Sequence, residues 1–301
     1  MSMERLSVYN PFNAPVYHED TVDTTMEVSR VLARNGEPHG TVIAADFQNA
    51  GRGRLRERAW LMERGANLAF TILLRFPGIE GIPPSLTLRT GLAVSLAIED
   101  FAPALAGCVL IKWPNDIFID KSAAGLPEAA ALPESAALPE VAALPEAAGK
   151  AAGILAEADG GNVHIGVGVN VGQRQFPDFL RGKATSISLA AGGEIAAGER
   201  YLPLGDIKSP PNSRYALLEK ILTRLHAEIA ASDNGGDNWR ERIEARLYQK
   251  GRRVCFAAGP ADSPTAVTGI LCGIGPGGEL LLMPDNGAET LSFTTGELRL
   301  T

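Results

Sequence analysis

Regularly spaced prolines restrict what the middle of this chain can fold into. Leu-Pro-Glu recurs at Leu126, Leu132, Leu138 and Leu144, a six-residue period filled with alanine. Proline lacks the backbone N–H that helices and sheets need, so each repeat breaks regular structure. The period is too short for the helical repeat families. We interpret residues 122–149 as a low-complexity insertion in a hairpin, so the core must form from the flanking segments.

The flanking segments predict an α/β (α+β) fold, with a mixed sheet backed by helices. Apolar or alternating runs indicate strands near residues 16–18, 41–45, 67–74, 108–111, 117–120, 150–157 and 163–170. Capping residues and apolar spacing indicate helices at about residues 25–33, 85–101, 215–229 and 239–248.

A change of pattern near Gln249 predicts a second domain. Short strands separated by glycine-rich turns follow at residues 254–257, 266–272, 279–283 and 289–293. We therefore expect a larger domain over residues 1–248 and a small C-terminal β-barrel over residues 249–301.

Composition limits the classes of function. The net charge is −7, which argues against a general nucleic-acid binder. Cys108, Cys255 and Cys272 lie far apart, so we expect reduced thiols, a cytoplasmic protein and no structural zinc. We find no leader pattern and no apolar run long enough to span a bilayer, and we expect neither secretion nor membrane insertion.

An arginine-rich loop stands out in this acidic chain. Residues 51–60 read Gly-Arg-Gly-Arg-Leu-Arg-Glu-Arg-Ala-Trp, between the predicted strands at 41–45 and 67–74. Glycine lets an anion approach backbone N–H groups, and arginine offers a planar fork of donors to phosphate or carboxylate. Trp60 offers a face for ring stacking. A solvated turn is the simpler explanation of such a short motif, so its weight depends on the other motifs.

Other polar groups follow at predicted strand ends. Residues 112–116, Lys-Trp-Pro-Asn-Asp, gather a cation, an amide and a carboxylate where proline interrupts a strand. That set suits triphosphate and magnesium chemistry, although a polar corner between strands explains it equally well. Thr24 and Thr25 either cap a helix or face a ligand, or do both. His164, in an alternating strand, is interpreted as a structural residue rather than a catalyst.

Four motifs together resemble one family, the biotin–protein ligases, also called biotin–[acetyl-CoA carboxylase] ligases. They occur in the family's order over about 120 residues and cover residues 48–60, 112–116, 150–157 and 166–170. The resemblance implies an α/β catalytic domain followed by an SH3-like barrel. It implies that biotin's carboxylate attacks the α-phosphate of ATP, and that a lysine of a carboxylase carrier domain then takes the biotinyl group from biotinyl-5′-AMP.

The same resemblance implies roles for individual residues, with ATP and Mg²⁺ as cofactors and biotin as substrate. The implied catalytic residues are Arg54, Lys112, Asp116 and Lys150. The implied biotin-binding residues are Thr24, Thr25, Gln48, Gly51, Arg52, Gly53, Arg54, Lys150 and Gly166. The implied ATP-binding residues are Arg54, Arg58, Trp60, Lys112, Asn115 and Asn170, with Asn115 also placed at magnesium.

The chain departs from the family pattern at three places. Met26 stands where the family commonly has asparagine, the arginine loop is about one residue longer before Trp60, and the insertion separates Asp120 from Lys150. The last departure favours Lys150 over Lys121 as the active-site lysine. The N-terminus is short for the helix-turn-helix domain of bifunctional members, so we expect a monofunctional enzyme without DNA binding.

Two alternatives and the oligomeric state stay open at this point. The first alternative is a lipoate or octanoate ligase or transferase of the same fold. The second is a biotin or nucleotide sensor without turnover. The sequence does not decide between a monomer and a homodimer.

Overall fold

Eight strands form one mixed sheet in the larger part of the protein. The computed structural model describes residues 3–54, 59–123, 149–192, 213–232, 237–259, 265–287 and 289–299. In chain order, the strands are β1 (Glu4–Arg5), β2 (Val16–Val22), β3 (Thr41–Gln48), β4 (Asn67–Arg75), β5 (Val109–Lys112), β6 (Asp116–Ile119), β7 (Gly149–Asp159) and β8 (Asn162–Asn170). Their order across the sheet is β1-β2-β3-β4-β8-β7-β6-β5. Strands β2 and β3 run parallel and the other neighbours antiparallel, which confirms the predicted mixed sheet.

Helices cover both faces of this sheet. They are α1 (Thr25–Arg34), α2 (Leu86–Phe101), α3 (Ile187–Ala190), α4 (Arg214–Ser232) and α5 (Trp239–Glu244). Because successive strand residues face opposite sides, β4 serves both layers. Its residues Leu68, Phe70, Ile72 and Leu74 join the core formed with α2 and α4, whereas Thr71 donates to Thr25 of α1 at 2.8 Å. No helix among the described segments is long and apolar enough to cross a bilayer.

Two threonines lie at the start of α1. The side chain of Thr24 caps the helix by accepting from the backbone N–H of Glu27 at 3.0 Å. The neighbouring Thr25 is the first helical residue and is buried. Both threonines are therefore fixed at the end of the helix that faces the sheet, as the capping pattern predicts.

The C-terminal segment forms a second, antiparallel sheet, as predicted. Its strands are β9 (Arg253–Ala258), β10 (Thr265–Ile274), β11 (Leu280–Pro284), β12 (Leu291–Phe293) and β13 (Gly296–Arg299), in the order β12-β11-β10-β9-β13. Strand β13, which the sequence pattern did not predict, pairs with β9 along one edge of this sheet.

The two sheets share one hydrophobic core. Trp113 packs against Phe256 with ring centroids 5.8 Å apart, and its indole N–H donates to the Gly278 carbonyl at 2.9 Å. The Glu244 carboxylate accepts from the Ile274 backbone N–H at 2.9 Å. The turn between β5 and β6 is therefore held by residues of the second sheet.

The strands on either side of the proline-rich insertion pair with each other. Strand β6 runs antiparallel to β7, with Asp116 opposite Gly153 and Ile119 opposite Gly149. The insertion itself, apart from its first and last residues, lies outside the described residues. The hairpin that the sequence analysis required for Lys150 to reach the site is thus present.

Helix α5 ends earlier than its sequence pattern indicates. The pattern extends to residue 248, but the helix ends at Glu244. The following residues turn and bond to the exposed edge of β5, because Ile111 donates to Arg246 and Tyr248 donates to Ile111, at 2.7 and 2.9 Å. Backbone pairing with a sheet edge replaces the last helical turn.

Candidate functional site

A cleft of about 520 Å³, partly open to solvent, lies between α1, the arginine loop and strands β7 and β8. It collects side chains and backbone from segments that are far apart in the sequence. The lining residues are Thr24, Thr25, Met26, Gln48, Arg52, Gly53, Trp60, Phe70, Asn115, Lys150, Gly153, Ile154, Leu155, Gly166, Val167 and Gly168.

A polar, uncharged pair of side chains lines part of the cleft. The side-chain oxygen of Gln48 accepts from both the backbone N–H and the hydroxyl of Thr25, at 2.9 and 3.2 Å. The Gln48 amide nitrogen lies beside Gly51, at the base of the arginine loop. A primary amide has two N–H donors, which suit a ligand carbonyl.

Two cations also line the cleft, each beside a carboxylate. Arg52 donates to Glu157 at 2.9 Å, and the Lys150 ammonium lies 2.6 Å from the Asp116 carboxylate. Lys150 and Arg52 are each about a third exposed, at 30% and 31%. An anion entering the cleft would therefore meet two positive groups that already have fixed directions.

The arginine loop is organised as a narrow hairpin at its base. Arg52 forms an antiparallel bridge with Ala59, and the Trp60 N–H donates to the Gly51 carbonyl at 2.8 Å. Residues 55–58 between them, including Arg58, lie outside the described residues. The hairpin places the indole of Trp60 against the sheet.

The indole of Trp60 packs against two glycines of the sheet. Gly153 of β7 and Gly168 of β8 are direct partners across the two strands. A Cβ atom at position 168 would come within 2.6 Å of the indole, and one at position 153 within 3.3 Å. The absence of side chains there makes room for the ring, which explains the glycine spacing of β8. The indole N–H of Trp60 is buried and has no hydrogen-bond partner among the described residues.

Not every residue implied by the resemblance lines the cleft. Arg54 follows Gly53 but donates to the Gly296 carbonyl of β13 at 2.8 Å. Lys112 is buried, with its ammonium 5.3 Å from the centre of the Phe118 ring, and is the register partner of Asp116. Gly51 lies at the loop base, behind Gln48. The roles of these residues stay predictions.

Asn170 lies deeper, at the end of β8. Its amide nitrogen donates to the Thr185 carbonyl at 3.0 Å, while its buried side-chain oxygen has no partner among the described residues. Asn115, at the opposite wall, donates to the Ile154 carbonyl at 2.8 Å. Each asparagine thus has its nitrogen fixed by the sheet.

Sequence reasoning missed part of the cleft lining. Leu155 and Val167 line it from β7 and β8, and Phe70 lines it from β4. Glu157 belonged to a recognised motif but received no role. The period-two alternation along β7 could have identified Leu155 and Glu157 with Gly153, since residues two apart share a face.

The described lining contains no carboxylate, which bears on magnesium binding. Two carboxylates contact lining residues: Asp116 is paired with Lys150, and Glu157 is paired with Arg52 and Arg30. The one set of three metal-type ligands among the described residues is His18, Asp20 and Asp46, on β2 and β3. There Asp46 already contacts His18 and Arg214. That set is therefore explained by internal pairing.

Sequence comparison connects the chain to proteins of known activity. No protein-family model matches the chain. It is 35% identical over 191 residues to the bifunctional ligase/repressor BirA of Bacillus subtilis, covering 60% of this chain and 48% of that protein. It is 28% identical over 285 residues to the biotin–[acetyl-CoA-carboxylase] ligase of Mycobacterium tuberculosis, covering 92% of this chain and 85% of that protein. The chain thus spans about half the length of the Bacillus relative.

Structural comparison finds biotin protein ligases with a similar fold. The fold matches the biotin protein ligase from Aquifex aeolicus in complex with biotin and ATP, with a TM-score of 0.66, 24% identity, and coverage of 94% of this chain and 97% of that one. It also matches the biotin protein ligase from Leishmania major in complex with biotin, with a TM-score of 0.55, 20% identity, and coverage of 95% and 100%. The chain is thus similar in sequence to biotin–protein ligases and shares the fold of their solved structures.

Proposed function

We propose that the protein is a ligase that activates biotin with ATP and transfers it to a lysine of a biotin carboxyl carrier domain. One observation carries the proposal: Arg52 and Lys150 line the same cleft as the neutral amide of Gln48. A ligand with a ureido ring at one end and a carboxylate at the other suits that polarity. The complexes and names of its relatives support the same assignment.

In the first step, a carboxylate oxygen of biotin attacks the α-phosphorus of ATP. A new P–O bond forms, the bond to the β-phosphate oxygen breaks, and pyrophosphate leaves. Both reactants are anions, so their approach requires compensating positive charge. Arg52 and Lys150 supply it, and donors aimed at developing charge are usually the largest contribution to catalysis.

Asn170 is a candidate contact for the nucleotide base. A buried amide oxygen without a donor costs free energy unless a ligand supplies one. The exocyclic amino group of adenine is such a donor. Trp60 would stack on a ring, and Arg54, Arg58 and Lys112 would meet the phosphates. In this proposal Arg54 exchanges its contact with Gly296 for a phosphate oxygen when the loop closes.

Magnesium fits this site only in part. Asn115 lines the cleft and can offer an amide oxygen, but both carboxylates that contact lining residues are occupied, Asp116 by Lys150 and Glu157 by arginines. Magnesium retains waters and binds through few protein ligands when phosphates are present. We therefore propose that it arrives with the triphosphate, where it would neutralise phosphate charge, with Asn115 as its contact on the protein.

In the second step, the ε-amine of the carrier lysine attacks the carbonyl carbon of biotinyl-5′-AMP. An amide bond forms, the anhydride C–O bond breaks, and AMP leaves with the pair of electrons. The amine must lose protons before and during this attack. Asn115, in the cleft lining, and its neighbour Asp116 would orient it. A closed arginine loop would keep water from the anhydride.

The remaining assignments follow from the same proposal. The partner is the carrier domain of a biotin-dependent carboxylase, and the compartment is the cytoplasm, where such carriers are made. The catalytic domain covers residues 1–248 and the β domain residues 249–301. The second sheet, β9 to β13, supports the latter boundary.

The test is incubation of the protein with ATP, magnesium, labelled biotin and a purified carrier domain. We expect pyrophosphate release that requires biotin, and label on the carrier that survives denaturation. A carrier whose target lysine is changed to arginine is the control. Biotin binding without pyrophosphate release would instead identify a sensor.

Met26 supports a second candidate, a ligase for lipoate or octanoate. Its thioether lines the cleft and packs so closely on Gly166 that a Cβ there would lie 2.9 Å from the sulfur. An apolar wall at this position suits an aliphatic acid. Pyrophosphate release with lipoate or octanoate but not with biotin would establish that alternative.

A further inference from the structure

One carboxylate joins the arginine loop to two fixed elements of the fold. Glu157, on β7, contacts Arg52 through one oxygen, at 2.9 Å, and Arg30 of α1 through the other. Arg30 also contacts Glu27, one helical turn earlier. Glu157 is separated from Arg52 by 105 positions in the sequence and from Arg30 by 127. The loop arginine is therefore tied to the sheet and, through Arg30, to α1.

The contact leaves Arg52 able to bind a ligand. It uses one terminal nitrogen of Arg52, and a guanidinium has five N–H donors. The Arg52 side chain is 31% exposed, and that of Glu157 is 25% exposed. Arg52 thus keeps donors directed to the cleft while one nitrogen is held by a strand. A charged bond from a rigid element limits the directions that the side chain can take.

Glu157 also separates two positive charges. Both of its oxygens are occupied by guanidinium groups, Arg30 on one side and Arg52 on the other. Without its negative charge, these two cations would repel each other at short range. Arg30 belongs to α1 and is 21% exposed, whereas Arg52 lies on a loop. The loop arginine is the one free to move away.

We propose that Glu157 is a positioning residue that holds Arg52 in the direction required for binding the reacting anions. The proposal rests on the proposed function for the identity of those anions, biotin's carboxylate and the α-phosphate. Glu157 does not touch the reactants. Its effect on the reaction passes through Arg52, and this separates it from residues that only stabilise the fold.

The experiment is a double-mutant cycle on purified full-length protein. The four proteins are the wild type, Glu157→Gln, Arg52→Gln and the double variant, and the readout is biotin-dependent pyrophosphate release. We expect Glu157→Gln to lower kcat/KM about tenfold, because small displacements of a catalytic donor are costly. In the Arg52→Gln background the same change should have an effect below about twofold, since its target is already lost.

Glu27→Gln is the matched control. It removes the other carboxylate of Arg30 but makes no contact with Arg52, so we expect activity within about twofold of wild type. Thermal unfolding of every variant shows whether the fold is intact. Equal loss from Glu157→Gln with and without Arg52 would overturn the proposal, and so would wild-type activity of Glu157→Gln in a folded protein.

A second readout separates this proposal from the proposed function. Titration with ATP alone, followed by Trp60 fluorescence with Trp60→Phe as the signal control, gives an apparent Kd for each protein of the cycle. If the wild type releases no pyrophosphate, the proposed function fails. The positioning role then stands if Glu157→Gln weakens ATP binding only when Arg52 is present. Additive changes, or no response to ATP in any protein, would overturn it.

Discussion

Two charged clusters of the eight-stranded sheet use the same chemistry at different exposure. At the β2–β3 edge, Asp46 contacts His18 and Arg214, whose side chains are 3% and 8% exposed. In the cleft, the Arg52 and Lys150 side chains are 31% and 30% exposed. Because the first cluster is buried, its donors can bond only to acceptors of the protein. Because the second is partly exposed, some of its donors remain available to a ligand. Arginine–carboxylate contacts alone do not identify a site; what decides is whether solvent and ligand can reach them.

The pKa values of the buried cluster fit a structural role. Burial raises the pKa of Asp46, but the hydrogen bond from His18 and the charge of Arg214 outweigh it and hold this pKa below its ordinary value. Burial raises the pKa of Tyr215 to about 12, so its hydroxyl stays protonated beside Arg214. Asp46 is thus ionised and Tyr215 neutral over the neutral range.

The largest expected effect belongs to the cleft. The substitution Lys150→Gln removes the ammonium group but keeps a polar side chain. Because a positive charge beside the reacting anions is lost, we expect adenylate formation to fall about 100- to 1,000-fold. Pyrophosphate release with saturating biotin and ATP measures it. Lys121→Gln is the matched control, because Lys121 is exposed at the other end of the insertion. A loss of less than about threefold for Lys150→Gln would remove the lysine from the mechanism.

A slightly smaller loss is expected for Arg54→Ala, at about 100-fold in adenylate formation. The test is sharp because the Arg54 guanidinium contacts Gly296 in this structure, so the prediction requires the loop to bring it to the phosphates. Formation of labelled biotinyl-AMP in a single turnover measures the rate. Arg64→Ala, outside the cleft lining and bonded to Thr21, is the control. Normal turnover of Arg54→Ala would indicate that Arg54 serves only to hold the loop against β13.

The buried cluster should affect stability rather than turnover. Asp46→Asn leaves the Arg214 charge without its carboxylate, and we expect the free energy of unfolding to fall by about 2 kcal/mol. Urea denaturation at neutral pH measures the loss, and pyrophosphate release should stay within about twofold of wild type. A large loss of turnover in a protein that is still folded would contradict the division between the two clusters.

The same variant has an expected pH dependence. Because the folded pKa of Asp46 lies below its ordinary value, its ionisation stabilises the fold above the unfolded pKa of 3.8. That contribution is lost as pH falls through the folded pKa. The difference in unfolding free energy between wild type and Asp46→Asn should therefore narrow below about pH 4. A difference that is constant down to pH 2 would show that Asp46 acts without its charge.

The smallest effect is expected for removal of the insertion. Replacing residues 122–148 by a short Gly-Ser linker should change the free energy of unfolding by less than about 1 kcal/mol, since closure cost grows slowly with loop length. Strands β6 and β7 already pair beside it, from Asp116 to Gly153. Activity and urea denaturation measure the outcome. A scrambled insertion of equal length is the control, and aggregation of the shortened protein alone would give the repeat a structural role.

Local rules predicted much of the fold. The Thr24 cap, the paired strands β7 and β8, and the position of the arginine loop between β3 and β4 depend on neighbouring residues, which a sequence displays directly. Strand β1 was missed because two residues carry no periodicity. The end of α5 was misjudged because its competitor, the edge of β5, lies more than 130 residues earlier.

The types of residue in the site could be predicted from the sequence, but the directions of their side chains could not. Arg52 and Arg54 have the same local pattern, yet one contacts Glu157 and the other Gly296. Their different surroundings come from strands more than 100 positions away. The contacts of Glu157 could not be predicted from the sequence either, since its partners come from α1 and a loop.

The bond from Trp113 to Gly278 makes the C-terminal sheet a support for the cleft wall. Trp113 lies two residues before Asn115, and its partner carbonyl comes 165 residues later. Truncation after Tyr248 would uncover the indole and release the turn that carries Asn115 and Asp116. The C-terminal sheet therefore supports the cleft wall from outside. None of its described residues is in the cleft lining, yet we expect a truncated protein to lose ligand binding before it loses its fold.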